Sequence, residues 1–136
     1  MGVVRGAAAA EPPRSVMLTI YGEPASKANS RKLVTIGRGK FARPRLIKSA
    51  KALAYVDGLR EQAALAMRGH ALLTGRLRLT ATIYYASERP DLDGSLILDG
   101  LQGIVYANDR QVREQHWIHA LDREMPRAVV LVEEVG

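Results

Sequence analysis

The chain has 136 residues, enough to bury one hydrophobic core and too few for two, so a single domain is expected. Lys plus Arg is 20 against 14 for Asp plus Glu, a net charge of +6 with a pI near 10.0, and this points to a polyanionic partner because cations on a phosphate backbone release its counterions. The absence of cysteine excludes a disulfide framework, a thiolate metal site and a Cys nucleophile, and no apolar run approaches the ~18 residues of a membrane span.

Ala7 to Ala10 is too short for the core of a signal peptide, so a soluble, cytoplasmic protein with no membrane partner is the expectation. Residues 1–15 mix Ala, Gly, Pro and Arg without periodicity and are expected as a disordered extension, leaving a domain over 16–136. Val16 to Tyr21 reads as a strand ended by Gly22 and Pro24. Leu33 to Ile36 and Lys40 to Ala42, joined through Gly37-Arg38-Gly39, read as a hairpin closed by Pro44. Leu46, Ala50, Leu53, Val56, Leu59, Ala63 and Ala66 recur at helical spacing, which predicts a helix between Leu46 and Met67 stopped at Gly69. Leu77 to Tyr85 alternates apolar with polar residues, a strand with one wet face. Asp93 is placed to cap a short helix to about Gly103, with Leu98 and Leu101 facing inward. Val112 to Leu121 and Arg127 to Glu133 complete the strands, and the continuous apolar run Val129 to Val132 places the last one centrally or under a helix. The expected fold class is α+β, one mixed β-sheet with two main helices in a single domain.

Charge is distributed unevenly. Lys27, Arg31, Lys32, Arg38, Lys40, Arg43, Arg45, Lys48 and Lys51 follow one another with no intervening Asp or Glu, so this stretch carries +9 and the remainder −3. A solvated face is the ordinary reading of a basic run, but nine uncompensated cations repel one another without a counter-anion, which favours a grip on a phosphate backbone. Ser26, Asn29 and Ser30 add donors for phosphate oxygens. Gly37-Arg38-Gly39-Lys40 lacks the further Gly and the Ser or Thr of a P-loop, so no nucleotide cofactor is expected.

The acids gather around Asp91, Asp93, Asp99 and Asp109. In an extended segment Asp91 and Asp93 point the same way, and two adjacent carboxylates invite a hard cation such as Mg²⁺, with Mn²⁺ as a substitute. Asp109, after a second turn, can return a third carboxylate. The same residues also serve as a helix cap and a surface turn, and spacing alone does not decide between these roles. An EF-hand is excluded, because Gly94 falls at loop position four and Gln102 replaces the bidentate Glu. His116 and His119 fall on opposite faces of a strand and form no chelating pair; Trp117 is expected to pack.

Gly22-Glu23-Pro24-Ala25-Ser26-Lys27-Ala28-Asn29, Arg89-Pro90-Asp91-Leu92-Asp93, Asp99-Gly100-Leu101-Gln102-Gly103 and Asn108-Asp109-Arg110-Gln111-Val112 occur in an order that resembles the RusA family of Holliday junction endonucleases, common in phages and prophages. The resemblance spans nearly everything from Met17 to Glu134, with the more specific motifs in the second half. It implies a homodimer that binds four-way DNA junctions and makes paired symmetric nicks with Mg²⁺, with Asp91, Asp93 and Asp109 on the metal-binding catalytic positions. Within that expectation the basic segment, with Lys27, Asn29, Arg31, Lys32, Arg38, Lys40, Arg43, Arg45 and Lys48, holds the DNA, and Asp99, inside the second helix, and Arg110 are read as structural or supporting residues.

Two departures from the family pattern stand out. Gly94 replaces the usual Asn, and the Lys four residues before the family counterpart of Asp99 is absent, its slot being Ser95 or Ile97 according to the direction of counting. Such a Lys would neutralise charge developing on the transition state, and losing a preorganised group of this kind costs ~100-fold or more in rate. Arg110, Arg89 and Lys27 are the candidate replacements at this level. The competing readings are a cleavage-impaired relative that only binds branched DNA and, more remotely, an RNA-binding or interaction module whose acidic motif merely caps a helix.

Overall fold

The computed structural model describes residues 12–25 and 31–136. Lys27 and Asn29, two of the expected DNA-contacting residues, lie outside the described residues, as do Ser26, Ser30, the side chain of Arg31 and most of the expected N-terminal extension.

The described residues fold as β1 (Ser15–Tyr21), β2 (Arg31–Ile36), β3 (Arg43–Lys48), α1 (Ala50–Ala66), β4 (Leu77–Tyr85), α2 (Ser95–Leu101), β5 (Val112–Leu121) and β6 (Arg127–Glu134). The main sheet has the order β1-β6-β4-β5, antiparallel except for the parallel β4–β5 pair, and β2 and β3 form a separate two-stranded sheet. This is the expected α+β arrangement of a mixed sheet with two helices.

Strand alternation decides which side of the sheet is covered. Leu77, Leu79, Ala81, Ile83 and Tyr85 of β4 are buried, together with Leu18 and Ile20 of β1 and Ala128, Val130 and Val132 of β6. Both helices contribute to this core, through Leu59 and Ala63 of α1 and Ile97 and Leu101 of α2. β6 lies between β1 and β4, in keeping with its apolar run. On the opposite face the register aligns Met17 with Leu131, Thr80 and His116, and Thr19 with Val129, Thr82 and Ile118.

The fold differs from the sequence expectation in three places. First, β1 starts at Ser15, and Arg14 is already tied down: its backbone N–H donates to Glu134 Oε1 (2.9 Å) and its guanidinium to the carbonyls of Ala71 and Leu72 (2.8 and 3.2 Å). Second, the hairpin returns later than expected. Gly39–Phe41 forms a 3₁₀ turn and β3 begins at Arg43, so Pro44 sits inside the strand opposite Thr35, which a two-stranded sheet tolerates because both its edges are open.

Third, Leu46 to Lys48 extend this strand, and the helix starts only after Ser49, whose hydroxyl accepts from the Ala52 N–H (3.1 Å). Its buried stripe runs through Ala52, Leu59 and Ala63, while Leu53 is exposed. In so alanine-rich a helix, small apolar residues on neighbouring faces support more than one stripe, and packing selects the phase. Gly69 adopts the left-handed conformation (φ +79°) just past the C-cap, Met67, and ends the helix where expected.

Close backbone approach sets the layer spacing. A Cβ on Gly100 of α2 would lie 2.7 Å from Leu59 Cδ2 of α1, so the two helices meet where α2 has no side chain. Arg60 Nη1 donates to the carbonyls of Gly100 and Gln102 (2.8 and 2.9 Å), satisfying the C-terminal end of α2. Gln62 clasps the end of β1, accepting from the Tyr21 N–H and donating to the Tyr21 carbonyl (2.8 and 3.1 Å).

Glu134 closes the sheet against the segment that enters β4. Its carboxylate accepts from the Thr74 N–H and hydroxyl and from the Arg14 N–H, and the bonds from Thr74 and Arg14 hold its pKa below the ordinary 4.5. A depressed carboxylate contributes stability that is present above the ordinary value and is lost as pH falls through the folded one. Glu134→Gln is therefore expected to lower stability at neutral pH, with the wild-type advantage shrinking as denaturant titrations are taken below about pH 4.5.

Candidate active site

All the acids singled out above lie in residues 86–111, the crossover between the parallel strands β4 and β5. Its first anchor is Tyr85, the last residue of β4 and 1 % exposed. The phenol donates to the Asp91 carbonyl (3.2 Å) and accepts from the Asp93 N–H (3.3 Å), holding the backbone on both sides of Leu92. Burial, reinforced by the charges of Asp93, Glu23 and Asp91, raises the Tyr85 pKa and keeps the hydroxyl protonated. Glu23 is fixed close by, accepting from the Ala86 N–H (2.8 Å), which ties the Gly22-Glu23-Pro24 segment to the start of the crossover. Tyr55, a partly buried residue whose hydroxyl points inward, has its pKa raised by burial of that group and then by Tyr85, and the hydroxyl has no hydrogen-bond partner among the described residues.

Asp91 is exposed and Asp93 half-buried. The N-cap of α2 is Gly94, without a side-chain cap, and not Asp93 as the sequence suggested; Asp93 Oδ1, one residue further back, instead accepts from the Ser95 N–H (3.0 Å), while its other carboxylate oxygen has no hydrogen bond among the described residues. The Gly at position 94 follows from Trp117. A Cβ there would stand 2.2 Å from indole atoms Cη2 and Cζ3, so the ring lies directly on the Gly94 backbone. Trp117 is packed, as expected, and its Nε1–H donates to Gln115 Oε1 (2.9 Å).

His116 and His119 face opposite sides of β5, also as expected. His119 nevertheless belongs to the site: its ring stacks on Tyr85 (4.6 Å between centroids) and its Nε2 donates to the Pro90 carbonyl (3.1 Å). Sequence reading missed this contact because it joins two elements through a loop of no regular period.

The second anchor is the Asn-Asp-x-Gln turn. Asn108 Oδ1 accepts from the Arg110 N–H (2.9 Å) and Gln111 Oε1 accepts from the Asn108 N–H (3.0 Å), a reciprocal cap that presents Asp109 to solvent. Gln102 Oε1 accepts from the Asp109 N–H (2.9 Å). Tyr106 lies beneath, buried and donating to the Leu98 carbonyl (2.7 Å), its pKa raised by burial and then by the charges of Asp109 and Asp99. Asp99 is exposed and paired with Lys48 of β3, Nζ to Oδ2 at 2.5 Å.

The crossover therefore carries its acids around two tyrosines, Asp91 and Asp93 at Tyr85, where Glu23 joins them from the segment after β1, and Asp99 and Asp109 at Tyr106. Among the described residues no three His, Asp or Glu side chains are grouped so as to hold a metal ion, and Asp109 is not gathered with Asp91 and Asp93 into a ready three-acid cage. The donor chemistry of Asp91 and Asp93 still suits Mg²⁺, which takes one or two carboxylates and keeps waters and substrate phosphate oxygens for the rest of its octahedron.

Of the expected basic residues, Lys32, Arg38, Lys40, Arg43 and Arg45 are exposed on the β2–β3 hairpin. Phe41 at its turn is 75 % exposed with Lys40 Nζ 5.5 Å from the ring centroid. A second cationic surface, missed because its residues are dispersed in sequence, is a groove lined by Gly75, Arg76, Arg110, Gln111 and Arg113, beside Asp109. No described helix is long and apolar enough to cross a membrane.

A comparison with protein-family models matches residues 22–133 to the model described as Endodeoxyribonuclease RusA. None of the curated proteins matches the chain.

The contact between Gly94 and Trp117 is directly testable. Gly94→Ala is expected to cost ~1–3 kcal/mol through overpacking against a rigid ring. Chemical denaturation should show Trp117→Phe recovering part of that loss in the same background, because the smaller ring vacates the space the new methyl needs.

Proposed function

The chain belongs to the RusA endodeoxyribonuclease family, and on that premise we propose that it is a Mg²⁺-dependent nuclease that recognises four-way DNA junctions and resolves them by paired symmetric nicks as a homodimer. The observation that carries this reading is the exposure of Asp91 beside Asp93 on a segment held at both ends by one buried phenol, in a molecule whose cations are concentrated on a projecting hairpin. A hydroxyl that fixes the backbone of two acids preorganises their carboxylates, which is what a site acting on phosphodiesters requires.

In this reading Asp91 and Asp93 are the protein ligands of the ion, which when bound polarises the scissile phosphate and supplies an activated water. Asp93 keeps one oxygen on the Ser95 N–H, so its orientation is set before substrate arrives. Asp109, held out by its cap, is the proposed third acid of the metal-binding set. The hairpin residues from Lys32 to Arg45 grip the sugar-phosphate backbone without reading bases, and Arg76, Arg110 and Arg113 extend that grip beside Asp109.

Two nicks of opposite strands need two sites. The face of the main sheet that no described element covers supports a second copy as its occupant, because Met17, Tyr21 and Ile118 stand 66, 56 and 49 % exposed among the Thr and Val side chains at its centre, beside the ion-paired Arg78, Glu114 and Glu133.

The test is incubation with a mobile four-way junction and with a linear duplex, with and without Mg²⁺. Nicks confined to the junction and dependent on the ion are expected. Asp91→Asn and Asp93→Asn should each reduce the rate by ~100-fold or more, and Asp109→Asn by less, since that acid stands apart from the pair. Tight, salt-sensitive junction binding with no nicks would instead establish the binding-only alternative, which the neutral side chains at Ser95 and Ile97 favour.

For the dimer, Ile118→Glu is expected to shift the protein to monomer in sedimentation and to convert paired nicks into single ones.

A further inference from the structure

The structure points to a specific cation for this site: we propose that Lys48, delivered from the hairpin and held by Asp99, is the catalytic lysine that contacts the scissile phosphate. This rests on the nuclease reading above and goes beyond it by assigning a role that the acid-bearing crossover does not itself fill.

Four observations carry it. Ser95 lies four residues before Asp99, on the same face of α2, where a longer basic side chain would meet the Asp99 carboxylate. Ser95 is short and neutral, and Ile97 is fully buried, so neither presents charge. The Asp99 carboxylate is met instead by the Lys48 ammonium at 2.5 Å, the one ion pair among the described residues that joins the basic hairpin to the crossover. Finally, among the other cations near the acids Arg60 is spent on the carbonyls at the end of α2, Arg110 lines the groove with Arg76 and Arg113, and Arg89 is exposed and joins no ion pair among the described residues, so Lys48 alone is held by an acid of the crossover.

Lys48 is also placed unlike the rest of its hairpin. It is the last residue of β3, followed directly by the helix cap Ser49, so its backbone is fixed by the start of α1. Its side chain is 30 % exposed, partly withdrawn from water yet open enough to reach a phosphate, while Lys32, Arg38, Lys40, Arg43 and Arg45 are exposed. An exposed ion pair of this kind contributes only ~0–1 kcal/mol to stability, so its consequence is the location of the charge. Asp99 is then a positioning residue: it acts through Lys48.

The experiment is single-turnover cleavage of a four-way junction at saturating protein, alongside junction affinity over a range of salt, for the wild-type chain and for K48M, K48R, D99N and K48M/S95K. K48M is expected to cut ~100-fold or more slowly while its affinity changes only a few-fold, with K48R recovering part of the rate. S95K, which restores a cation four residues before Asp99, is expected to return most of the rate lost in K48M. D99N should slow cutting less than K48M does and leave affinity unchanged.

If K48M cuts at the wild-type rate when saturated and loses only affinity, with a salt slope smaller by ~0.9, Lys48 is an ordinary backbone contact and the inference is overturned while the nuclease reading stands. Failure of both K48R and S95K to restore any rate to a folded protein would overturn it too. A wild-type chain that never nicks DNA removes the nuclease reading and this inference together.

Discussion

Parallel strands cannot be joined by a tight turn, and the pairing of β4 with β5 therefore forces residues 86–111 to travel back along the sheet before β5 can begin. That obligatory crossover carries Asp91, Asp93, Asp99 and Asp109. Its two ends are fixed by opposite devices, a buried phenol at the end of β4 and a reciprocal side-chain cap just before β5. Between them α2 is drawn against α1 through Gly100 and closed by Arg60. The acids are held on a supported scaffold, although they belong to a connection and have no place in the sheet ladder.

Among the described residues the sheet is covered on one side only. α1, α2 and the acidic segment occupy the face that carries Leu79, Ala81 and Ile83, and the opposite face presents exposed Met17, Tyr21 and Ile118 among half-buried Thr and Val side chains and the ion-paired Arg78. Under the proposed function, a second copy on that face would leave Asp91 and Asp93 undisturbed.

Electrostatics divides the molecule in a second way. The hairpin gathers exposed cations and exposed apolar side chains, among them Leu33, Phe41 and Leu46, on two strands that pair only with each other. Mutual repulsion among those cations is relieved by a polyanion far better than by scattered surface acids, and the Lys48–Asp99 pair marks the place where the cationic arm meets the acidic crossover. In this chain the close partner of Asp99 comes from a strand far away in sequence.

The sequence by itself determined the cleanly alternating strand Leu77–Tyr85, the existence of the strand Val112–Leu121, the helix stop at Gly69, and the acids of the second half together with the motif order that placed the chain in its family. These signals are local: alternation, a left-handed glycine and a cap are decided within a few residues. Only the tertiary structure decided the phase of the α1 stripe, the late return of the hairpin, the reason for Gly94, the contact of His119 with Tyr85 and the partner of Asp99. Each of those is a meeting of residues distant in sequence whose local patterns allow more than one answer. Burial against a common core, and the charge left facing charge once that core has formed, select among them.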